Sequence, residues 1–154
     1  MSARRLCAAF IIATATWACA LVLAPFLATR AHASAFGTAF VAAVYAVGSI
    51  VCHQLPERSF HLWSVQMPVC ARCTGIYVAA AASAPVALRC AATVRRSRAN
   101  RVMLALALVP SSMTLVYEWT TGVAPANWIR FLAGVPIGAA VAWLLVAAGR
   151  NQVN

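Results

Sequence analysis

The chain has 154 residues, of which 64% are hydrophobic and 9% are charged. A soluble domain usually holds ~45–50% apolar and ~25% charged residues, so this composition excludes a soluble globular protein, and the mean hydropathy of +0.84 indicates a chain embedded in lipid. All twelve cationic side chains are Arg, only Glu57 and Glu118 oppose them, and the net charge is +10. The arginines lie at the ends of apolar stretches, where they contact the lipid bilayer and set orientation, so nucleic-acid binding is not expected.

Five apolar stretches follow one another along the chain: 6–28, 36–51, 69–88, 102–119 and 129–148. Each is close to the ~20 residues that a membrane-spanning helix needs. Their Ala, Val and Leu content shows no strand alternation, which argues against a barrel. The sequence therefore predicts an all-α, polytopic membrane helical bundle of about five transmembrane helices, multi-pass in a bacterial or archaeal cytoplasmic membrane. Gly134 and Gly138 predict a face of small residues on the last helix, which would allow close helix packing.

The first stretch has two interpretations, a retained membrane helix and a cleaved signal peptide. Residues 1–33 form an N-terminal membrane helix with a basic start, and Ala31-His32-Ala33 has the small-x-small form of a signal-peptidase site. An apolar run of 23 residues exceeds the ~7–15 of a signal core, so a retained helix is favoured over a cleaved signal. Residues 34–154 form the membrane bundle that carries the loop 52–73.

The connection 89–101 carries five arginines and is the strongest topological signal in the chain. The positive-inside rule predicts that this connection is cytoplasmic. With five spans the loop 52–73 would then face the opposite side, together with the N-terminus.

The loop 52–73 concentrates reactive side chains. It holds three of the six cysteines (Cys52, Cys70 and Cys73) and two of the three histidines, His53 and His61. Cys70 and Cys73 form a C-x-x-C at the start of the third helix, where the helix dipole and unpaired N–H groups stabilise thiolate. Because the polar loop cannot cross the membrane, Cys52 returns to the same depth, and the three sulfurs are expected to converge.

Thiolate is the form that binds soft metal ions, so the leading interpretation is a metal site made by Cys52, Cys70 and Cys73. His53 or His61 would complete a Cys3His set. Zinc is the first expectation, and Met67 near the sulfurs keeps Cu(I) open.

Two other functions stay open. A membrane thiol–disulfide oxidoreductase would use Cys70 and Cys73 as its redox pair, with Cys52 as a resolving thiol and a quinone as electron acceptor. A small transporter, or an accessory subunit with a membrane-protein partner or a second copy of the chain, would also need only a few helices and one polar cluster.

A second group of polar residues is expected to lie on the same membrane face. If the helices alternate, the end of the fourth and the start of the fifth share a side with the loop 52–73, which brings Glu118 and Arg130 towards it. Charged groups at membrane depth persist mostly when they are paired or functional. Glu118 is expected to pair with a cation or to orient a histidine; the cations within reach are Arg58, Arg72 and Arg130.

Two motifs resemble those of a family of small membrane proteins of bacteria and archaea that is known as a domain of unknown function. The first reads Cys-His-Gln at 52–54, Pro-Glu-Arg-Ser-Phe at 56–60 and Cys-Ala-Arg-Cys-Thr-Gly-Ile-Tyr at 70–77. The second comprises Glu118, Gly122, Asn127, Arg130, Gly134 and Gly138, with Glu118 where the family has Asp. The resemblance covers roughly residues 45–145. It implies a membrane location and the grouping of the two motifs, and it implies no activity.

Overall fold

The computed structural model describes residues 3–30, 34–90 and 98–150 of the chain. Five helices occur in these residues: α1 Ala3–Ala28, α2 Ala35–Val51, α3 Ala71–Cys90, α4 Arg98–Thr121 and α5 Asn127–Arg150. They confirm the all-α bundle, and their bounds follow the apolar stretches closely. The largest difference is at the start of α4, which begins at residue 98 rather than 102.

Within the described residues, four helices are long and apolar enough to cross a membrane: Arg5–Ala28, Ala71–Cys90, Arg98–Thr121 and Asn127–Gly149. Helix α2 is apolar but has 17 residues, at the lower limit of the ~17–25 that a span needs. Four spans are thus supported by length and composition, and a crossing by α2 stays a prediction.

Two of the sequence-based predictions fall outside the described residues. The possible cleavage motif Ala31-His32-Ala33 is one, and most of the basic connection, including Arg95 and Arg96, is the other. The cytoplasmic location of that connection, and the division of the chain at residue 33, therefore stay predictions.

Large apolar side chains on the outside of the bundle mark it as a membrane protein. On α4, Leu106 is 65% exposed and Met113 is 66% exposed. A soluble protein rarely exposes a continuous apolar surface of this kind, whereas lipid tails cover it without cost.

Helices α3 and α5 form the centre of the bundle because their backbones approach closely. A Cβ atom added at Gly75 would overlap the carbonyl of Phe131, and one added at Gly138 would overlap the carbonyl of Ile76. Gly134 meets the carbonyl of Arg72 in the same way. The small-residue face predicted on the last helix is confirmed. Helix α1 packs on α3 and α5, α4 packs on α5, and α2 packs on α1.

The segment between α2 and α3 contains structure that the sequence did not predict. A 3-10 turn at Pro56–Arg58 is followed by two short antiparallel strands, β1 His61–Leu62 and β2 Val65–Gln66. Trp63 and Ser64 connect the strands with φ values of +51° and +65°, which is the backbone of a two-residue hairpin turn. The loop therefore folds back over the bundle as an ordered element.

Candidate thiol and ion-pair sites

The three cysteines of the loop meet at the start of α3. Cys52 follows the last residue of α2, Cys70 directly precedes α3, and Cys73 lies in the first turn of α3. Their sulfur atoms all lie within 4.8 Å of one another. The backbone N–H of Cys70 also donates a hydrogen bond to Cys52 Sγ at 3.2 Å. We call these three side chains the sulfur group.

Gln54 holds the two ends of the loop together, a role that sequence reasoning missed. Its side-chain Nε2 donates to the backbone carbonyls of Tyr45 at 2.9 Å and Pro68 at 2.6 Å. The backbone carbonyl of Gln54 accepts a hydrogen bond from Gln66 Nε2 at 2.5 Å. These bonds bring the end of α2 against the residues before Cys70. The sequence signals this role only by an amide side chain close to Cys52. The backbone of Gln54 has a φ of +50°, which no local sequence pattern predicts.

Gly48 allows this approach. A Cβ atom at Gly48 would overlap the carbonyl of Pro68 and come within 2.8 Å of Gln54 Nε2. A glycine one turn before the end of α2 is therefore needed for the loop to return against the helix.

The electrostatic environment of Cys70 favours its thiolate. A hydrogen bond from the Cys73 thiol, assisted by the Cys73 and Arg72 backbone N–H groups and the Cys52 side chain, lowers the pKa of Cys70 from 9.0 to about 5, although burial opposes the shift. Unpaired N–H groups at a helix start stabilise thiolate in this way. The lowered pKa therefore favours the thiolate form of Cys70 within the sulfur group.

Apolar side chains surround the sulfur group. Cys52 and Cys73 pack against a buried cluster that contains Leu21, Met67 and Val69. Met67 is 3% exposed, so its thioether belongs to the same apolar environment as two of the sulfurs. The remaining cysteines lie elsewhere: Cys7 is buried at the carbonyl of Val146, whereas Cys19 and Cys90 are exposed.

The two loop histidines do not join the sulfurs. His53 and His61 are both exposed, and among the described residues the group of mutually close ligand atoms comprises the three cysteines alone. His61 lies in β1, paired with Gln66. Ligation by either histidine therefore stays a prediction and would require a change in the loop.

Glu118 forms the centre of a second polar site, on α4. Arg58 Nη2 lies 2.6 Å from its Oε1 and Arg130 Nη2 lies 2.7 Å from its Oε2. Glu118 is 8% exposed and Arg130 is 3% exposed, so both charges are buried. We call Arg58, Glu118 and Arg130 the ion triad. Glu118 was expected to pair with a cation, and it pairs with two of the three candidate arginines, Arg58 and Arg130.

Arg72, the third possible partner, contacts a different residue. Its Nη2 donates to Thr114 Oγ1 at 2.9 Å, and its buried Nε has no hydrogen-bond partner. Thr114 and Glu118 are four residues apart on α4 and so share a helix face. Arg72 therefore lies beside the ion triad without joining it.

The loop and the last two helices are connected directly. Asn127 Nδ2 donates to the carbonyl of Ser59 at 2.9 Å, and the rings of Phe60 and Phe131 are 6.1 Å apart in an edge arrangement. With the Arg58–Glu118 pair, these contacts place the ends of α2 and α4 and the starts of α3 and α5 on one side, as helix alternation predicts.

The fold and these sites define a polytopic helical membrane protein with a thiol cluster and a buried ion triad at one membrane edge. The model of the predicted membrane protein family DUF2085 matches residues 52–144, and the chain belongs to this family. The matched region begins at Cys52 and contains both sites.

Two archaeal proteins are similar to the chain. An uncharacterized protein of Methanocaldococcus jannaschii is 46% identical over 57 residues, which are 37% of this chain and 36% of that protein. An uncharacterized protein of Methanothermobacter thermautotrophicus is 35% identical over 101 residues, 61% of this chain and 83% of that protein. The chain thus spans about a third of the first relative and most of the second. No solved structure matches the chain.

Proposed function

We propose that this membrane protein binds a soft or borderline metal ion, zinc in the first instance, through the thiolates of Cys52, Cys70 and Cys73. The observation that carries the proposal is the convergence of three sulfurs within 4.8 Å at the start of a helix. Tetrahedral zinc with Zn–S bonds of about 2.3 Å has its sulfurs about 3.8 Å apart. The sulfur group would need to contract by at most about 1 Å to reach that spacing.

Three sulfurs leave one position of a four-coordinate ion to be filled. His53 and His61 are the proposed fourth ligands, and water is the ligand if neither moves, because zinc accepts three protein ligands and a water. Met67 packs in the same cluster as Cys52 and Cys73, so Cu(I), which prefers thiolate and thioether ligands, is the competing ion.

Elemental analysis of protein purified in mild detergent tests the proposal. We expect close to one metal ion per wild-type chain, and a loss of most of it in Cys52→Ser, Cys70→Ser and Cys73→Ser. Cys19→Ser and Cys90→Ser are the matched controls, since both thiols are exposed and outside the sulfur group, and they should retain the metal. Metal-free wild-type protein that also fails to take up added zinc or Cu(I) would contradict the proposal.

The fourth ligand can be assigned by comparing His53→Ala with His61→Ala. The variant that removes a ligand should lower zinc affinity about 10-fold or more, while the other should bind as the wild type does. Unchanged affinity in both would favour water in the fourth position.

A second function is favoured by the thiolate character of Cys70. In thiol–disulfide chemistry the Cys70 thiolate and the Cys73 thiol would form one S–S bond, losing two electrons and the one proton of the Cys73 thiol. A quinone in the membrane would accept the two electrons and, with that proton and a second proton from water, become the quinol. The required nucleophile is a low-pKa thiol with a second thiol beside it, which describes Cys70 and Cys73.

Mass spectrometry after alkylation along a series of thiol–disulfide buffers separates the two functions. A redox pair would lose two alkylation sites, Cys70 and Cys73, at one midpoint potential, and Cys73→Ser would abolish the change. A metal site would instead protect all three cysteines until a chelator is added.

A further inference from the structure

We propose that α2 begins and ends on the same side of the membrane, so that the chain crosses it four times and the sulfur group is reached from the extracytoplasmic side. The inference rests on how the described helices pack, and it needs no bound metal. It goes beyond the proposed function, because it names the compartment from which a ligand of the sulfur group must come.

Helices α1 and α3 run in opposite directions. In the first half of α1, Phe10 packs against the buried alanine cluster in the second half of α3, which includes Ala84. Further along α1, Trp17 meets Tyr77 in the first half of α3, with the ring centroids 6.0 Å apart. The end of α1 therefore lies on the side where α3 begins. If α2 crossed the membrane between them, α1 and α3 would run in the same direction.

Both ends of α2 lie on that side. Residues 28 and 35 are seven peptide bonds apart, and such a connection reaches at most about 25 Å, less than the ~30 Å of the hydrocarbon core. At the other end of α2, Cys52 Sγ accepts a hydrogen bond from the backbone N–H of Cys70 at the start of α3. The loop that follows returns to the end of α1, where the rings of Trp63 and Phe26 are 5.3 Å apart.

The depth that α2 reaches is small. It ends beside Cys52, which packs against the buried cluster that contains Leu21. At a rise of 1.5 Å per residue, Leu21 lies about 10 Å before the end of α1 at Ala28. The two ends of α2 carry Phe36 and Ile50, which are 84% and 82% exposed. An apolar helix of this kind is suited to lie in one leaflet, with its outer face against lipid.

Four crossings place the start of α1 and the end of α5 on the side opposite the sulfur group. The contact between them agrees with this, because the Cys7 thiol donates to the carbonyl of Val146 at 3.8 Å. The connection 89–101 joins the end of α3 to the start of α4 on the same side. A crossing by α2 would instead separate the N-terminal arginines from that connection.

This topology gathers most of the positive charge on one side. Eight of the twelve arginines lie there: Arg4 and Arg5, the five of the connection 89–101, and Arg150. The other four have partners within the protein. Arg58 and Arg130 pair with Glu118, Arg72 donates to Thr114, and Arg30 lies over the ring of Phe26. The positive-inside rule assigns the side with eight arginines to the cytoplasm.

The sulfur group then faces the extracytoplasmic side. His53, Glu57 and His61 are exposed around it, which is expected where the loop meets water. In a step that rests on the proposed function, the metal ion is therefore taken up from outside the cytoplasm.

Labelling intact cells with a membrane-impermeant maleimide, followed by peptide mass spectrometry of the full chain, tests the inference. Ala35→Cys places a thiol at the exposed start of α2, and Ser64→Cys places one in the exposed hairpin turn that follows it. We expect both thiols to be labelled in intact cells. The native Cys90, which is exposed at the end of α3, is the internal control and should be labelled only after the membrane is permeabilised.

Two results would overturn the inference. Labelling of only one of the two introduced thiols in intact cells would show that α2 crosses the membrane. Labelling of Cys90 in intact cells, with Ser64→Cys labelled only after permeabilisation, would reverse the orientation.

A second measurement needs no substitution. A fluorescent protein that matures only in the cytoplasm is fused to either terminus of the full chain, and both fusions should fluoresce. An odd number of crossings would leave one of the two fusions dark, which would overturn the inference.

The wild-type Cys70 separates failure of this inference from failure of the metal proposal. Cys70 should be labelled in intact cells once a membrane-impermeant chelator is added. Labelling without the chelator would count against a bound metal and still support the topology. Labelling only after permeabilisation would overturn the outer location of the sulfur group.

Discussion

The sulfur group and the ion triad lie in different parts of the bundle, and they are stabilised in different ways. The sulfur group packs against the apolar cluster of Leu21, Met67 and Val69 on the side of α1 and the hairpin. The ion triad lies on the side of α4 and α5, with Glu118 between Arg58 and Arg130. Thiols tolerate apolar neighbours because they are weakly polar, whereas a buried charge needs an opposite charge. Substitutions in the ion triad should therefore cost stability, and substitutions in the sulfur group should mainly cost chemistry.

The largest effect is expected for Glu118→Gln. This change leaves Arg130, which is 3% exposed, without its counter-charge, and loss of one partner of a buried pair costs about 3–5 kcal/mol. Thermal unfolding in detergent measures the loss of stability. Glu57→Gln is the matched control, because Glu57 is 60% exposed and 4.0 Å from Arg58, and it should cost less than ~1 kcal/mol. Equal losses for the two variants would mean that burial does not distinguish these carboxylates.

An intermediate effect is expected for Gly138→Ala, which tests whether the packing of α3 against α5 positions both the sulfur group and the ion triad. The new Cβ would overlap the carbonyl of Ile76 on α3, and overpacking of this kind costs about 1–3 kcal/mol. Because α3 carries Cys73 and Arg72, metal binding should weaken together with the melting temperature. Gly37→Ala is the control: its Cβ would be 3.5 Å from Ser34 Oγ, an ordinary contact, so metal binding should stay unchanged and the melting temperature should not fall. A normal metal affinity in a destabilised Gly138→Ala would show that the sulfur group is held by its loop alone.

The pH dependence of alkylation is confined to the sulfur group. In metal-free protein, Cys70 modification should have its midpoint near pH 5, because the Cys73 hydrogen bond lowers its pKa to about 5. Cys73→Ala removes the main cause of the shift and should move the Cys70 midpoint upwards. A midpoint that stays near pH 5 in this variant would mean that the backbone N–H groups at the start of α3, rather than the Cys73 thiol, lower the pKa of Cys70.

The smallest effect is expected at the hairpin turn, which belongs to neither site. Ser64 has a φ of +65°, a conformation that glycine adopts without strain. Ser64→Gly should therefore raise the stability by about 0.5–1 kcal/mol and leave metal content unchanged. Ser112→Gly, at an exposed position within α4, should instead lower the stability by about 0.5 kcal/mol. A fall in stability on Ser64→Gly would show that the hydroxyl has a role that outweighs the backbone strain.

The helices were predictable because their signal is local. Apolar runs of about 20 residues are read without knowledge of any partner, and the charged and turn residues between them limit each run. The small-residue face at Gly134 and Gly138 was predictable for a related reason, since spacing of four residues defines one side of a helix. Helix alternation then placed Glu118 and Arg130 on the side of the cysteines.

The interior of the loop was not predictable in the same way. The hairpin His61–Gln66 is short, and its turn uses Trp63 and Ser64 at positive φ, where Gly or Asn is the usual signal. Gln54 acts through bonds to carbonyls at Tyr45 and Pro68, which no spacing rule connects. The choice of Arg58 and Arg130 over Arg72 as partners of Glu118 depended on how α3, α4 and α5 approach one another.

The sequence by itself determined that this chain is a helical membrane protein and that its soft ligands and both acids lie towards one membrane face. Only the tertiary structure decided that three sulfurs meet without a histidine, that Glu118 pairs with two arginines, and that Arg72 bonds to Thr114 instead of Glu118. The physical reason is that burial in lipid acts on each segment separately, whereas ligand sets and ion pairs depend on distances of a few ångströms. Those distances are set by close α3–α5 packing at Gly75 and Gly138 and by the loop that Gln54 holds in place.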